Sequence, residues 1–251
     1  MIEVYLSQVS NLLNDPSNIR YSPGLLTSMI NIARGQVAAE TECVRVPAIL
    51  YTIANQQMYA LASASLTATG VQGLLTVRLA NVVNLNGSQT YLQPRPWEWF
   101  NSYYVGTGQS VTTGTPQVWA QQGRGSATMW YSQTTQSFGT IGLYPIPNTQ
   151  YAINMDVTAV PIPLNTAFDP EAIPYPWTDA VQFYAAYMAY LSVQRFADAQ
   201  NMMNLYKEFA HRGTQTTVPT VMPGNDPGGQ GPKLASDNTT LTTPPAAKGG
   251  K

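Results

Sequence analysis

One histidine and one cysteine set the limit on the chemistry these side chains could do. A catalytic thiol needs a base or cation beside it to hold the thiolate. Cys43 leaves a helical pattern and enters a strand pattern with no histidine near it. His211 stands beside Arg212 at a helix end, where an imidazole complements the dipole. Cys/His metal sets are beyond this composition, and neither a metal nor another cofactor is expected. A lone cysteine also excludes an intramolecular disulfide framework. Asp169 and Glu171 could form a carboxylate pair. They lie, however, in the run Phe168-Asp-Pro-Glu-Ala-Ile-Pro-Tyr-Pro176, where acids commonly begin turns. Gly106-Thr-Gly108 and Gly123-Arg-Gly125 lack the strand–loop–helix setting and the lysine of phosphate loops, so both are expected to be hairpin turns. Asn86-Gly-Ser88 and Asn238-Thr-Thr240 fit the glycosylation pattern without an export signal. No nucleophile, metal set or acid–base pair emerges, and the chain is expected not to be an enzyme.

Contact is better provided for than catalysis. Trp97, Trp99, Phe100, Tyr103 and Tyr104 cluster in sequence, and such aromatics serve cores, protein interfaces and sugar sites alike. Charged residues make up 10% of the chain, against roughly 25% in a typical soluble domain. From Val46 to Asn165 the only charges are Arg78, Arg95, Glu98, Arg124 and Asp156. Charged surface keeps free proteins apart, so its absence suits a subunit packed against neighbours. Arg95 and Arg124, as rare charges, are candidate anchors between subunits. A net charge of −1 offers no field for nucleic acid or anionic membrane. No apolar run reaches the roughly 20 residues of a membrane span, and the start, with Glu3 and no basic segment, is not that of a signal peptide.

The elements that must position these groups fall into three regions and a tail. Ile2, Tyr5, Leu6, Val9, Leu12 and Leu13 recur at helical spacing before Asn14-Asp-Pro16 breaks the pattern. Ser22-Pro23 then predicts a capped helix whose stripe runs from Leu25 to Val37 and ends near Glu42. Strand-like alternation follows at residues 43–51, 57–61, 74–83, 117–120, 128–131, 140–144 and 151–157, with a turn at Asn86-Gly87. The spacing predicts an antiparallel β-sandwich or barrel over residues 43–165. From Thr178, as cap, a stripe from Val181 to Phe209 predicts a long helix, stopped at Gly213. At about 30 residues or more it would exceed about 45 Å and so is expected to kink or split. Its stripe needs a partner, so both chain ends (residues 1–42 and 166–212) should build one helical bundle around the inserted β-region: an α+β chain. Residues 213–251, rich in Gly, Pro and Thr and without an aromatic, cannot offset the entropy of their own ordering. They form an extended C-terminal arm in this reading, with Pro219, Val221, Met222, Leu234 and Leu241 as its apolar contacts.

Four segments carry a resemblance. They are Ile30-Asn-Ile-Ala-Arg34, Thr52-Ile-Ala-Asn-Gln-Gln-Met-Tyr-Ala-Leu61, Gly142-Leu-Tyr-Pro-Ile-Pro-Asn-Thr-Gln-Tyr151, and Asp179-Ala-Val-Gln-Phe-Tyr-Ala-Ala-Tyr-Met-Ala-Tyr190 continuing to Gln194-Arg195. In this order, with a Trp-rich segment between the second and third, the chain resembles phage head-to-tail adaptors (connector or tail tubular protein A-like) from about Leu12 to Arg212. The resemblance implies a homo-oligomeric ring, commonly dodecameric, at the head–tail junction of the virion, built from subunits made in the host cytoplasm. It implies portal protein on one side and tail nozzle or fibre proteins on the other, with genomic DNA passing unread through the channel during ejection, and no membrane. Arg95, Trp97, Trp99, Arg124 and the arm residues are then the candidate partner contacts. Two other readings compete: a tail tube or nozzle subunit, and a carbohydrate-binding module using the Trp97–Tyr104 cluster.

Overall fold

Local chemistry sets the first two helices. In the computed structural model, which describes residues 1–84, 86–100, 112–123 and 139–217 (side chains to 213), α1 spans Ile2–Leu12 and α2 spans Pro23–Thr41. Ile2, Tyr5, Val9 and Leu13 are buried along one face of α1. Asp15 shapes the link to α2, its carboxylate accepting from the backbone N–H groups of Ile19, Arg20 and Tyr21 at 3.0, 2.9 and 3.0 Å. Ser22 caps α2 by accepting from Leu25 N, Pro23 occupies the first turn, and Glu42 ends the helix in left-handed backbone. The capping expected from Ser22-Pro23 is borne out.

Eleven strands follow among the described residues: β1 Arg45–Tyr51, β2 Met58–Ala60, β3 Ser65–Leu66, β4 Val71–Val83, β5 Gln89–Tyr91, β6 Gln93–Pro94, β7 Thr113–Gly114, β8 Val118–Gln122, β9 Thr140–Tyr144, β10 Ile146–Pro147 and β11 Ala152–Pro161. They form open sheets, in the orders β3-β1-β11-β4-β5 and β2-β9-β8-β6, with β10 beside β7. No closed barrel is present among them, which removes that half of the expectation. Most pairings are antiparallel; β6–β8 and β10–β7 are parallel. The strand expected at 128–131 and the turn at Gly106-Thr-Gly108 lie outside the described residues, as does Arg124-Gly125. The Asn86-Gly87 turn is present, with Gly87 at φ 81 and its N–H donating to Asn84 O.

Between Asp156 and Val157 the β11–β4 register slips, so that Asp156 opposes Leu79 and Val157 opposes Val77. Arg78 is thereby the extra residue of a bulge, which breaks the ladder locally. Gln121 of β8 repairs it: its carbonyl accepts from Val77 N at 2.8 Å while its amide donates to Leu75 O at 3.0 Å and Gly123 O at 2.8 Å. One side chain thus ties the two larger sheets together. Gln121→Leu should cost about 1–3 kcal/mol, the desolvation cost of the backbone groups left unpaired; an unfolding midpoint in urea equal to that of the parent chain would refute this.

Helix returns as α3 (Thr178–Ser192) and α4 (Phe196–Thr217). The long helix is split, as its length suggested, and Gln194 at φ 61 marks the break. Two local expectations are corrected. Trp177, not Thr178, occupies the N-cap of α3, and no side chain caps it. Gly213 does not stop α4, which runs on to Thr217. A Cβ at Gly213 would lie 2.8 Å from Cδ1 and Nε1 of Trp177, so glycine is there to admit the indole. The buried face of α3 is Ala180, Ala185, Ala186 and Ala189, each fully inaccessible. Small side chains let helices approach closely, and α3 packs on both α1 and α2. On α4, Phe209 meets Phe183 at 4.8 Å between ring centroids and Tyr206 meets Tyr184 at 4.9 Å. The unit built from these elements is Met1–Gln215.

Candidate interaction surfaces

All four resemblance segments hold long-range joints of the chain. On α2, Arg34 is 1% exposed and its guanidinium grips Glu171 with Nε at 3.1–3.2 Å and Nη2 at 2.8 Å. Nη1 donates to Ile162 O at 2.6 Å. Asn31, one turn earlier, donates to Leu164 O at 3.1 Å and accepts from Leu164 N at 2.8 Å. The segment leaving β11 is therefore locked to α2 by two side chains of Ile30–Arg34. Tyr5 faces the same joint. Burial, and then the Glu171 carboxylate, push its hydroxyl far above its ordinary value.

Asp169 and Glu171 do not act as a pair. Glu171 is spent on Arg34 and on Ile173 N at 2.9 Å. Asp169 accepts from the backbone N–H groups of Asn165 and Thr166 at 2.6 and 2.7 Å, as the turn reading anticipates. The Thr166 and Asn165 bonds hold its carboxyl below the ordinary value. A carboxyl depressed in the folded state stabilises above its unfolded value, near 3.9, and loses that contribution as pH falls through the folded one. Asp169→Asn should therefore flatten the fall in thermal midpoint between about pH 5 and pH 3; an unchanged slope would count against it.

The second and third segments interlock. Tyr59 Oη accepts from Ile53 N at 3.1 Å and lies 2.7 Å from Gln56 O, closing the loop of Thr52–Leu61 on itself. Thr52 accepts from Tyr151 N at 2.7 Å and donates to Thr149 O at 3.2 Å, while Asn55 N donates to Pro147 O. β2 pairs with β9 so that Met58 opposes Gly142, where a Cβ would come within 2.9 Å of the Phe100 ring. The fourth segment is the tyrosine- and alanine-rich face of α3. Tyr190 donates to Leu12 O at 2.9 Å, and the Arg195 guanidinium lies 5.0 Å above the Tyr190 ring.

Of the residues put forward for partner contact, Arg95, Trp97 and Trp99 come together. Arg95 lies 5.7 Å over the Trp99 ring, Trp97 stacks on Phe100 at 5.9 Å, and Trp99 meets Phe100 and Tyr144 edge-on. Phe100 is buried and both tryptophans are half-buried. Core packing thus takes one member fully and leaves both tryptophans partly exposed. Tyr103, Tyr104, Arg124, Pro219, Val221, Met222, Leu234 and Leu241 lie outside the described residues. Cys43 is buried, and burial pushes its thiol up, away from the thiolate. His211 lines an open cleft with Glu40, Tyr206 and Lys207; there Tyr206 donates to Glu40. No cluster of His, Cys, Asp and Glu among the described residues could hold a metal. No helix among them is long and apolar enough to cross a membrane.

What the fold and these joints define is a mixed α+β protein whose distinctive residues hold its segments together. The model of the family described as SU10 adaptor protein matches residues 5–223, most of the chain. The chain belongs to that family, one of phage head-to-tail adaptors. None of the curated proteins compared matches it. The resemblance carried by the four segments is borne out.

Proposed function

We propose that this chain is a virion subunit that assembles as a ring at the head–tail junction, joins portal protein to the tail nozzle or fibres, and leaves a channel for DNA. Membership of the adaptor family over residues 5–223 is the observation that carries the reading. The near absence of charge from Val46 to Asn165 supports a life spent in contact with other subunits. So does the character of the joints, none of which leaves a reactive group exposed for turnover. In this reading the two chain ends build a helical bundle that faces the portal, and the inserted β-region, residues 43–165, is a sandwich turned towards the tail. Arg95, Trp97 and Trp99 are contacts on that β-region, and the segment beyond Thr217 is an arm.

The test is the mass of the purified chain with and without purified portal protein, together with particle images at the head–tail junction. Ring-sized complexes on the portal are expected. A chain that stays monomeric and unbound at micromolar portal would overturn the proposal.

A further inference from the structure

The motif Asn86-Gly-Ser88 takes no part in the joints or in the proposed contacts. It holds the chain's only asparagine followed by glycine; at every other asparagine the next residue carries a side chain that crowds its own backbone nitrogen. An asparagine side-chain amide carbon is within reach of the next backbone nitrogen, and closure of the five-membered ring between them expels ammonia. Glycine in the next position removes the steric barrier to that closure. Asn86, Gly87 and Ser88 are all exposed, in the connection between β4 and β5. A Cβ at Gly87 would meet no atom within 4 Å, so no neighbouring group pins the Gly87 peptide by packing.

The hydrogen bonds of this turn bear on both reacting atoms. Asn86 Oδ1 accepts from Ser88 N at 3.0 Å and from Ser88 Oγ at 2.6 Å. Asn84 Nδ2 donates to Ser88 Oγ at 3.0 Å, which turns the hydroxyl hydrogen towards Asn86. Two donors on Oδ1 draw electrons from the side-chain carbonyl. They are already in place for the negative charge that this oxygen takes on when its carbon is attacked. Among the described residues none bonds Asn86 Nδ2, the group that leaves. The opposing contact is the bond from Gly87 N to Asn84 O at 2.9 Å, which must open first. Beside it the hairpin is closed by β5, three exposed residues at the edge of their sheet, and pairing of that kind opens at low cost.

We propose that Asn86 is a self-modifying site, at which the Gly87 nitrogen attacks the side-chain amide and water completes the conversion of asparagine to aspartate and isoaspartate. The bond from Gly87 N to Asn86 Cγ forms, the Cγ–Nδ2 bond breaks, and ammonia leaves with the proton that Gly87 N gives up. Water then opens the cyclic imide. Cleavage between Gly87 N and Cγ gives aspartate; cleavage between Gly87 N and the Asn86 backbone carbonyl carbon gives isoaspartate, with the main chain rerouted through the side chain. Nothing is oxidised or reduced, and water is the only co-reactant. Either product places a carboxylate at the tip of the hairpin, in a region with few charges. Isoaspartate also lengthens the main chain by one carbon inside the span that the Gly87 N to Asn84 O bond closes. Loss of ammonia makes the step irreversible, so the modified fraction grows with the age of the chain. The step needs no partner and stands apart from the junction reading.

The test is to hold the purified full-length chain in alkaline buffer made with heavy-oxygen water and to follow its peptides by mass spectrometry. The Asn86 peptide should take up label and separate into two products, ahead of the peptides holding the other described asparagines. Ser88→Ala should slow the conversion on the order of fivefold, the contribution of one ordinary hydrogen bond. Ser88→Thr keeps the hydroxyl and should keep the parent rate. The same chain unfolded in urea gives the rate of the Asn-Gly pair without the turn. A native chain whose Asn86 stays unmodified while the unfolded chain converts would overturn the proposal. So would a Ser88→Ala chain that converts as fast as the parent.

Discussion

Arg34→Met is expected to destabilise the chain by about 3–5 kcal/mol, the cost of leaving one member of a buried ion pair without the other. Arg34 and Glu171 side chains are 1% and 7% exposed, so water cannot replace the lost guanidinium. The substitution also strips Ile162 O of its 2.6 Å donor. For a chain of this length the thermal midpoint should fall by roughly 10 °C. The path of the damage is predictable as well. The segment from Ile162 to Ile173 is held on α2 by Arg34, Asn31 and Glu171, so its amides should exchange with solvent before those of β11 or α3. Replacing both partners, Arg34→Met with Glu171→Met, should recover much of the loss, because no unpaired charge then remains. Circular dichroism melts and hydrogen exchange read both effects, and a single variant melting within about 2 °C of the parent would refute the account.

That joint also marks where sequence reasoning stops. Arg34 and Glu171 are 137 positions apart, and neither has a local signal that names the other. Read locally, Glu171 was, with Asp169, one of two acids in a Pro-rich run where acids commonly begin turns. The turn reading was right for Asp169, whose partners are three and four residues away, and for the bond Glu171 accepts from Ile173 N, but it was silent about Arg34. Gly213 failed for the same reason. A glycine near a helix end is a stop signal in sequence, but here its lack of a Cβ serves Trp177, which approaches from another segment. Periodicity captured the longer strands, β1, β4, β9 and β11. It could not mark β3, β6, β7 or β10, which have two residues each and no room for an alternating pattern. Nor could it place the break between α3 and α4, since Ser192-Val-Gln-Arg195 holds neither Gly nor Pro. Among candidate contacts, Arg95, Trp97 and Trp99 were legible because they are neighbours in the chain. The exposure of Ile19 and Phe168 was not legible, since only the fold shows that no described residue covers them.

Removing residues 218–251 should leave the melting midpoint within about 2 °C of the parent and abolish the joining of heads to tails. The removed segment has no aromatic residue and is dense in Gly, Pro and Thr, so it has little apolar area with which to hold itself. In the proposed reading the segment contributes to assembly by ordering on a partner, and Val221, Met222, Leu234 and Leu241 would be its apolar anchors, with Pro219 stiffening its start. The position of the cut decides what the experiment means. A cut at Gly213 would remove the residue that receives the Trp177 indole and the last turn of α4, and would confuse a damaged fold with a lost arm. A cut after Thr217 spares both. Most of the removed stretch also lies beyond residue 223, where the family match ends, so related adaptors need not share its effect. A full-length chain with Val221, Met222, Leu234 and Leu241 each changed to Ser separates anchoring from mere length. It should fail to join heads to tails as the truncated chain does. Normal yields of complete particles from either chain would show that the segment is not the arm that makes the joint.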